Sequence, residues 1–551
     1  MTLDAGTEKR FVALVAKSTK RAERELRGTP LEVLRTLLGE GRNDEVVAMF
    51  SEVVARNALL ERLVAQSRAT KNSGEHISAE QLDIFLQALR AQAGSELTAA
   101  SEQLQKTAEA NGDRGDEDKS GKDKPIKQPP MRRPPPAGLR RVDNPISVPE
   151  AERPCPLCGG SRRCITHETT EVIDLIPAEV IVRLDRREVL ACDACDGAMT
   201  RAPMGDKVVE GGYYGSGLVA EMVVDKYRDS LPLHRIGQRF EGRGLSIPSA
   251  SMSDQIQWAT DLLAPIRRGA IAAVLGAIVM HVDGTNLPVR DKETGHQVEL
   301  GALWGYVGDK DHALYLFTST GMKRGQLPGE LGPEDFLMLR KGLVCADASN
   351  LFDKSFSRDD LIEVGCNMHA RRYFVKALEA GDMRAAVPIK AFQALYEIEA
   401  VVRDADVDSR VAARRARSRP IYDELLRWGD LHRPLEPPTS KFGAALRYLD
   451  NHHVALTRFL DDGRLPVDNG IVERLHRRPA IGRRNFLFAG SFAGANRAAI
   501  AYTVLGCCQL ANVDPVDYLR DVLPKLARGG VSTREAIALL PANWKTTRPA
   551  G

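Results

Sequence analysis

Along the chain the spacing of apolar positions changes character several times. Up to about Ala110 they recur every three to four residues with no proline after Pro30, as in VVARNALLERLVAQ (Val53 to Gln66) and QLDIFLQALRAQ (Gln81 to Gln92). This predicts amphipathic helices, either an antiparallel pair or a short coiled-coil assembly segment. The stretch NGDRGDEDKSGKDKPIKQPPMRRPPPAGLRR (Asn111 to Arg141) then offers almost nothing to bury and reads as a solvated, disordered linker. Helical spacing resumes from Tyr213 to Leu263. There a helix over Leu233 to Phe240, a turn at Gly242-Arg243-Gly244 and a second helix N-capped at Ser249 make a helix-turn-helix pattern, one that any helical hairpin shares.

From Ala277 the pattern becomes that of strands. AIVMHVD is a short buried strand ending on Asp283, and GALWGYV and ALYLFTS form a hairpin through Gly308 to His312. A helix around Glu334 to Arg340 precedes GLVCAD, a strand ending on Asp347, and EVGCNMH (Glu363 to His369) is a fifth strand. Three strands, a helix, then a strand that delivers a second aspartate is the order of the ribonuclease-H-like fold, in which the first and fourth strands lie side by side. Asp283 and Asp347, 64 residues apart in sequence, would then meet. Two adjacent carboxylates are costly unless a cation neutralises them, and oxygen donors suit Mg²⁺ or Mn²⁺.

The segments that follow His369 are helical by period until LPVDNGIVERLHRRPAIGRRNFLFAG (Leu465 to Gly490). Here Asp468 or Asn469 caps a short helix that Pro479 ends, with Glu473 one turn in. Glu473 is either an i, i+4 partner of Arg477 or the third metal carboxylate, with Asp468 as its rival. The metal reading also gives Arg474, Arg477, Arg478, Arg483 and Arg484 a use as DNA phosphate contacts.

Composition sharpens this picture. At 551 residues the chain needs two to four domains, and a formal charge of +3 means that nucleic-acid affinity must come from local clustering. The longest apolar run, Ala270 to Val282, is too short to span a bilayer, and MTLDAGTEKRF has no signal-peptide core. A cytoplasmic protein, nucleoid-associated when bound to DNA, is expected. Four of the nine cysteines form two C-x-x-C knuckles, Cys155/Cys158 and Cys192/Cys195, which can close a tetrahedral structural Zn²⁺ site; Cys164 and His167 are spare donors. No G-x-x-x-x-G-K-[ST] phosphate loop is present.

The expected fold class is multidomain α+β. It comprises a helical N-terminal region (1–110), a linker (111–150), a small zinc domain (151–210) and a helical DNA-binding region (211–268). A ribonuclease-H-like core follows (269–370, resuming at 461–500), interrupted by an all-α insertion (371–460) and closed by a helical C-terminal element (501–551).

The paired knuckles, KYRDSLPLHR, HVDGT, CNMHARRYF, PVDNGIVERLHRRPAIGRRNFLFAGS and DPVDYLRDVLP occur in an order that resembles transposases of the insertion-sequence-66 family, from about Ser51 to the C-terminus. The resemblance implies a bacterial transposase whose catalytic triad corresponds to Asp283, Asp347 and Glu473, with zinc held by Cys155, Cys158, Cys192 and Cys195. It implies two-metal 3′-end cleavage and strand transfer on element ends and target DNA, a homo-oligomer on DNA, and accessory proteins of the same element. An inactive DNA-binding repressor and a metal-dependent nuclease without strand transfer are the alternatives. The chain departs from the family at Asp283-Gly284-Thr285, where Asp-Glu-Thr is usual, and at Ala348-Ser349-Asn350, where a glycine and aromatics are usual.

Overall fold

The computed structural model describes residues 95–111, 179–186, 189–190, 200–201, 208, 212–290, 298–320, 325, 329–349, 351–437 and 439–547. The predicted helices at Val53 to Gln66 and Gln81 to Gln92, the linker, and Cys155, Cys158, Cys164, His167, Cys192 and Cys195 lie outside them. The chain divides into two compact units, residues 1–111, 369–395 and 419–453 in one and 112–368, 396–418 and 454–551 in the other.

The first unit is helical. Helix α1 (Ser95–Asn111) buries Ser101, Leu104, Gln105 and Ala108 at helical spacing. The buried Trp428 donates its indole N–H to Ser101 Oγ at 3.0 Å, and Phe374, Trp428 and Phe442 meet edge to face with Phe392 tilted against Phe374. By compactness, then, α1 groups with two pieces of the all-α block rather than standing alone, while residues 396–418 and 454–460 of that block group with the sheet.

The second unit holds the strands. Short β1 (Val189–Leu190) and β2 (Thr200–Arg201) pair antiparallel. Next come α2 (Ser216–Tyr227), α3 (Leu233–Glu241), α4 (Ser249–Leu262) and α5 (Ala264–Gly276). The α3–α4 turn includes Gly244 at φ +82°, a left-handed conformation that glycine accepts freely. Pro248, not Ser249, is the N-cap of α4, and no side chain caps it.

A five-stranded sheet follows: β3 (Val279–Arg290), β4 (Val298–Gly308), β5 (His312–Thr318), β6 (Gly342–Ala346) and β7 (Leu361–Gly365), with α6 (Pro333–Met338) between β5 and β6 and α7 (Asp353–Phe356) between β6 and β7. Its order is β5-β4-β3-β6-β7, antiparallel among the first three and parallel from β3 to β7. The first and fourth sheet strands are therefore neighbours, as expected. Asp283, however, does not end its strand. β4 pairs with β3 from Met280 to Arg290 and keeps it extended, whereas β6 covers only Val279 to His281. The fifth strand also starts and stops earlier than predicted, because Asn367 already opens a helix and its backbone N–H bonds Val467 O at 3.2 Å.

Helices α8 (Asn367–Glu379), α9 (Ala386–Val401), α10 (Val407–Ala413), α11 (Arg419–His432) and α12 (Lys441–Thr457) lead to α13 (Gly470–Phe486), and α14 (Phe492–Leu510) to α17 complete the chain, the last three being Pro515–Ala527, Thr533–Ala538 and Pro541–Thr546. Pro479 does not end α13. It lies inside the helix, and burial of Leu475, His476, Pro479 and Gly482 offsets the backbone hydrogen bond that proline lacks. Among the described residues no helix is long and apolar enough to cross a membrane.

The sheet has two buried faces. Leu303, Val307, Tyr315 and Phe317 face α13 and α14 through Val472, Leu475 and Tyr502, while Val282, Trp304, Tyr306 and Val344 pack on Phe336 and Leu337 of α6. Helix α13 sits close on its face because Gly305 has no side chain: a Cβ there would lie 2.7 Å from His476 Cε1 and 3.1 Å from Val472 Cγ2. Gly305→Ala is therefore expected to cost about 1–3 kcal/mol through overpacking. Gly276→Ala, at a helix end with open space around it, should leave stability unchanged or slightly raised. Chemical denaturation of the two variants against wild type checks both outcomes.

Candidate active site

The register of the sheet sets its acids in one row. Asp283 pairs with Gly305, and Gly305 with Tyr315. Between β3 and β6 the offset is 64 residues (343 − 279, 345 − 281), and the same number separates Asp283 from Asp347 (347 − 283 = 64); the pairing itself ends at His281 and Cys345. Between β6 and β7 the offset is 19, and the last pair is Ala346 with Gly365 (365 − 346), the residues just before Asp347 and Cys366. Tyr315, Gly305 and Asp283 thus form a paired row across β5, β4 and β3, while Asp347 and Cys366 directly follow the last residues of β6 and β7. Residues of one row point to one face, here the face covered by α13.

Two ties fix α13 to this row, and both use the edge of β3 that β6 leaves uncovered. At the start of the helix, fully buried Asn469 donates its side-chain amide to Val282 O at 2.8 Å, and its Oδ1 lies 3.0 Å from His281 Nδ1. Its backbone N–H reaches Cys366 Sγ at 3.2 Å. Asn469 is the N-cap residue by position, yet its side chain makes no capping bond because it is engaged with β3. Asp468 Oδ1 instead accepts from Gly470 N at 2.8 Å. Beyond the helix, Ala489 accepts from Arg290 N at 2.8 Å and donates to Pro288 O at 2.9 Å, so the segment pairs with the same strand again.

Glu473 lies one turn after Asn469, partly buried, with a carboxylate oxygen within 4.8 Å of Cys366 Sγ. Its neighbour among these residues is thus Cys366. Asp283 and Asp347 are also partly buried, and Asp283 Oδ1 accepts from Gly284 N at 2.8 Å. Among the described residues, no three oxygens from Asp283, Asp347 and Glu473 lie within 4.8 Å of one another, so the three do not crowd around a single point.

The electrostatics of this corner are acidic and dry. Burial pushes the Cys345 thiol well above its usual range, and nearby Cys366, Asp468, Glu363 and Glu473 add to the effect. Burial also raises the Glu363 carboxyl; Arg458 opposes this, and Asp353 and Asp347 add to it. Burial lowers His281 to about 4 against the pull of Asn469, and lowers His476 to about 4 against the pull of the Asp283 backbone, so both rings are neutral at neutral pH. Carboxylates with no cationic histidine beside them are hard-oxygen donors, the kind that Mg²⁺ or Mn²⁺ takes.

The five arginines of α13 divide. Arg474, Arg477 and Arg484 are exposed. Arg478 donates to Leu505 O at 3.2 Å, and burial lowers its pKa; Arg483 donates to Thr285 Oγ1 at 2.8 Å and to Asn286 O at 2.5 Å. Those two fasten the helix to its surroundings, which leaves three facing solvent.

The glycine after Asp283 has a structural cause. A Cβ at Gly284 would lie 2.6 Å from the ring of Trp304, its cross-strand partner, whose Nε1 is anchored on Thr318 Oγ1 at 3.0 Å. The bulky residue in this chain is on β4 instead, and Asp283 is left in place.

His281, Cys366, His476 and Tyr315 belong to the site but are not evident from motif spacing. The available signals are short-range: His281 shares a strand face with Asp283 at i−2, and His476 follows Glu473 at i+3 on one helix face. Loss of the Asn469 amide would leave Val282 O and the His281 ring without their partner in a buried place. Asn469→Ala is expected to destabilise by about 1–3 kcal/mol or more, read as a lower denaturation midpoint with unchanged slope.

Residues 211–497, just over half of the chain, match the profile described as "Transposase IS66 family", and residues 152–196 match "zinc-finger binding domain of transposase IS66". Among curated proteins the chain is similar to the uncharacterized protein y4hP of Sinorhizobium fredii (strain NBRC 101917 / NGR234), at 30% identity over 73% of this chain and 75% of that protein. The uncharacterized proteins y4jD and y4qI of the same strain are 28% and 30% identical over 74% of this chain, covering 81% and 76% of their own lengths.

Proposed function

We propose that this chain, which belongs to the IS66 family of transposases, cuts the ends of a bacterial insertion sequence and joins them to target DNA, with Asp283, Asp347 and Glu473 as its catalytic carboxylates. The observation that carries this reading is the row geometry: the 64-residue offset between β3 and β6 equals the separation of the two aspartates, and Asn469 ties the Glu473 helix to the same strand. Strand order and the mixed parallel and antiparallel pairing support a ribonuclease-H-like core.

Asp283, Asp347 and Glu473 would hold Mg²⁺ or Mn²⁺, which when bound supplies Lewis acidity to a scissile phosphate and lowers the pKa of water. The chain's own residues do the rest. Exposed Arg474, Arg477 and Arg484 lie on the helix that carries Glu473 and would neutralise DNA phosphates flanking the cut. Arg483, held by Thr285 and Asn286, and Arg478, held by Leu505, keep that helix seated while DNA binds. In-line displacement at phosphorus by water, then by the freed 3′-hydroxyl, needs no protein nucleophile. The nearby Cys345 thiol is kept protonated by burial and is no candidate for one. The zinc-finger domain would close its metal site with Cys155, Cys158, Cys192 and Cys195, and contribute to holding element ends.

Incubation with DNA flanking its own gene plus Mg²⁺ should yield cut ends and joined products. Asp283→Asn, Asp347→Asn and Glu473→Gln should each reduce both to background while end binding persists in gel shifts. End binding without cutting by wild type would make the protein a repressor, and cuts without joined products would make it a nuclease. Elemental analysis of the purified protein should give one zinc per chain, lost together with end affinity in a Cys155→Ser/Cys192→Ser double variant; retention of zinc by that variant would reassign the ligands.

A further inference from the structure

We propose that His476 is a nitrogen ligand of the divalent ion held by Asp283, which makes the centre a mixed carboxylate–imidazole site. The inference rests on the reading above that Asp283 binds metal.

Glu473 and His476 stand at i and i+3 on α13, so their side chains leave one face of the helix. Among the described residues Glu473, His476 and Asp283 do not gather within 4.8 Å of one another, so the pair that carries the inference is His476 and Asp283. Only 7% of His476 is exposed, and its ring is wedged above Gly305 against Tyr315. Its Nε2 lies 3.6 Å from Asp283 Oδ2 and makes no hydrogen bond. That separation is longer than an N–H···O bond. It is close to the spacing of two donors sharing one ion: bonds of roughly 2.1 Å place ligand atoms about 3.0–3.5 Å apart.

The other ring nitrogen has the partner that a metal-bound histidine needs. Nδ1 is 3.3 Å from the Tyr315 hydroxyl, which can accept its proton and leave the Nε2 lone pair facing Asp283. Tyr315 stays a phenol, because burial raises its pKa well above the usual value. A histidine that only filled the space above Gly305 would need neither the alignment with Asp283 nor the backing hydroxyl. One nitrogen donor also shifts selectivity, favouring Mn²⁺ over Mg²⁺ more than an all-oxygen site does.

The test uses full-length protein loaded with Mn²⁺ and pulsed electron paramagnetic resonance. Wild type should show a directly coordinated ¹⁴N coupling that converts to a ¹⁵N coupling when histidine alone is isotopically labelled. His476→Gln should lose this coupling and bind Mn²⁺ about tenfold or more weakly, the scale of loss seen when a metal site loses even an outer partner. Its thermal midpoint and its affinity for element-end DNA should stay near wild type. Mn²⁺ that binds in an Asp283-dependent manner with no histidine coupling in wild type would overturn the proposal and leave the metal reading intact. Mn²⁺ affinity unchanged by Asp283→Asn would instead remove the metal reading, and this inference with it.

Discussion

A strand that outruns its neighbour sets the terms for the rest of this protein. β3 extends for twelve residues while β6 pairs with only its first three, so beyond His281 one edge of β3 carries backbone groups that the sheet does not satisfy. Buried backbone polar groups must find partners. Here they find them at the two ends of α13, through the Asn469 amide on Val282 and through Ala489 on Pro288 and Arg290. The helix runs along β3 because its ends are fastened there, and Glu473 and His476 are carried to the acidic row as a result.

That arrangement links packing to chemistry. Gly305 lets the helix approach, Trp304 makes glycine necessary at position 284, and Asp283 is held on the face that the helix covers. Neutral His281 and His476 would not compete with a divalent cation there, as protonated rings would. Arginines on the same helix serve two ends: some hold the helix down, others face solvent where DNA phosphates can reach them.

Much of this was legible in the sequence, for physical reasons. Alternating apolar residues located the strands of the sheet, and the order of strands and helix placed the first beside the fourth. An aspartate just past or within each of those strands then pointed to one place. What could not be read were properties of pairing partners. Nothing within Val279–Arg290 says that β4 holds it extended past Asp283, because that length is set by residues 298–308. Pro479 signals a helix end locally, yet burial of the surrounding helix face overrides it. Asn469 looks like a cap, but a better use for its amide exists across the sheet edge. His476 looks like one more basic residue among arginines until the fold buries it against Asp283.

The central claim is that three carboxylates from β3, the end of β6 and α13 serve one divalent-metal centre. Anomalous diffraction from crystals soaked in Mn²⁺ tests this most directly. The account predicts manganese peaks beside Asp283 within β3 and the carboxyl end of β6, with Asp283 in contact and Asp347 and Glu473 each completing a coordination shell. Manganese bound elsewhere, or a peak at Asp283 with Glu473 turned away from it and from Asp347, would contradict the account.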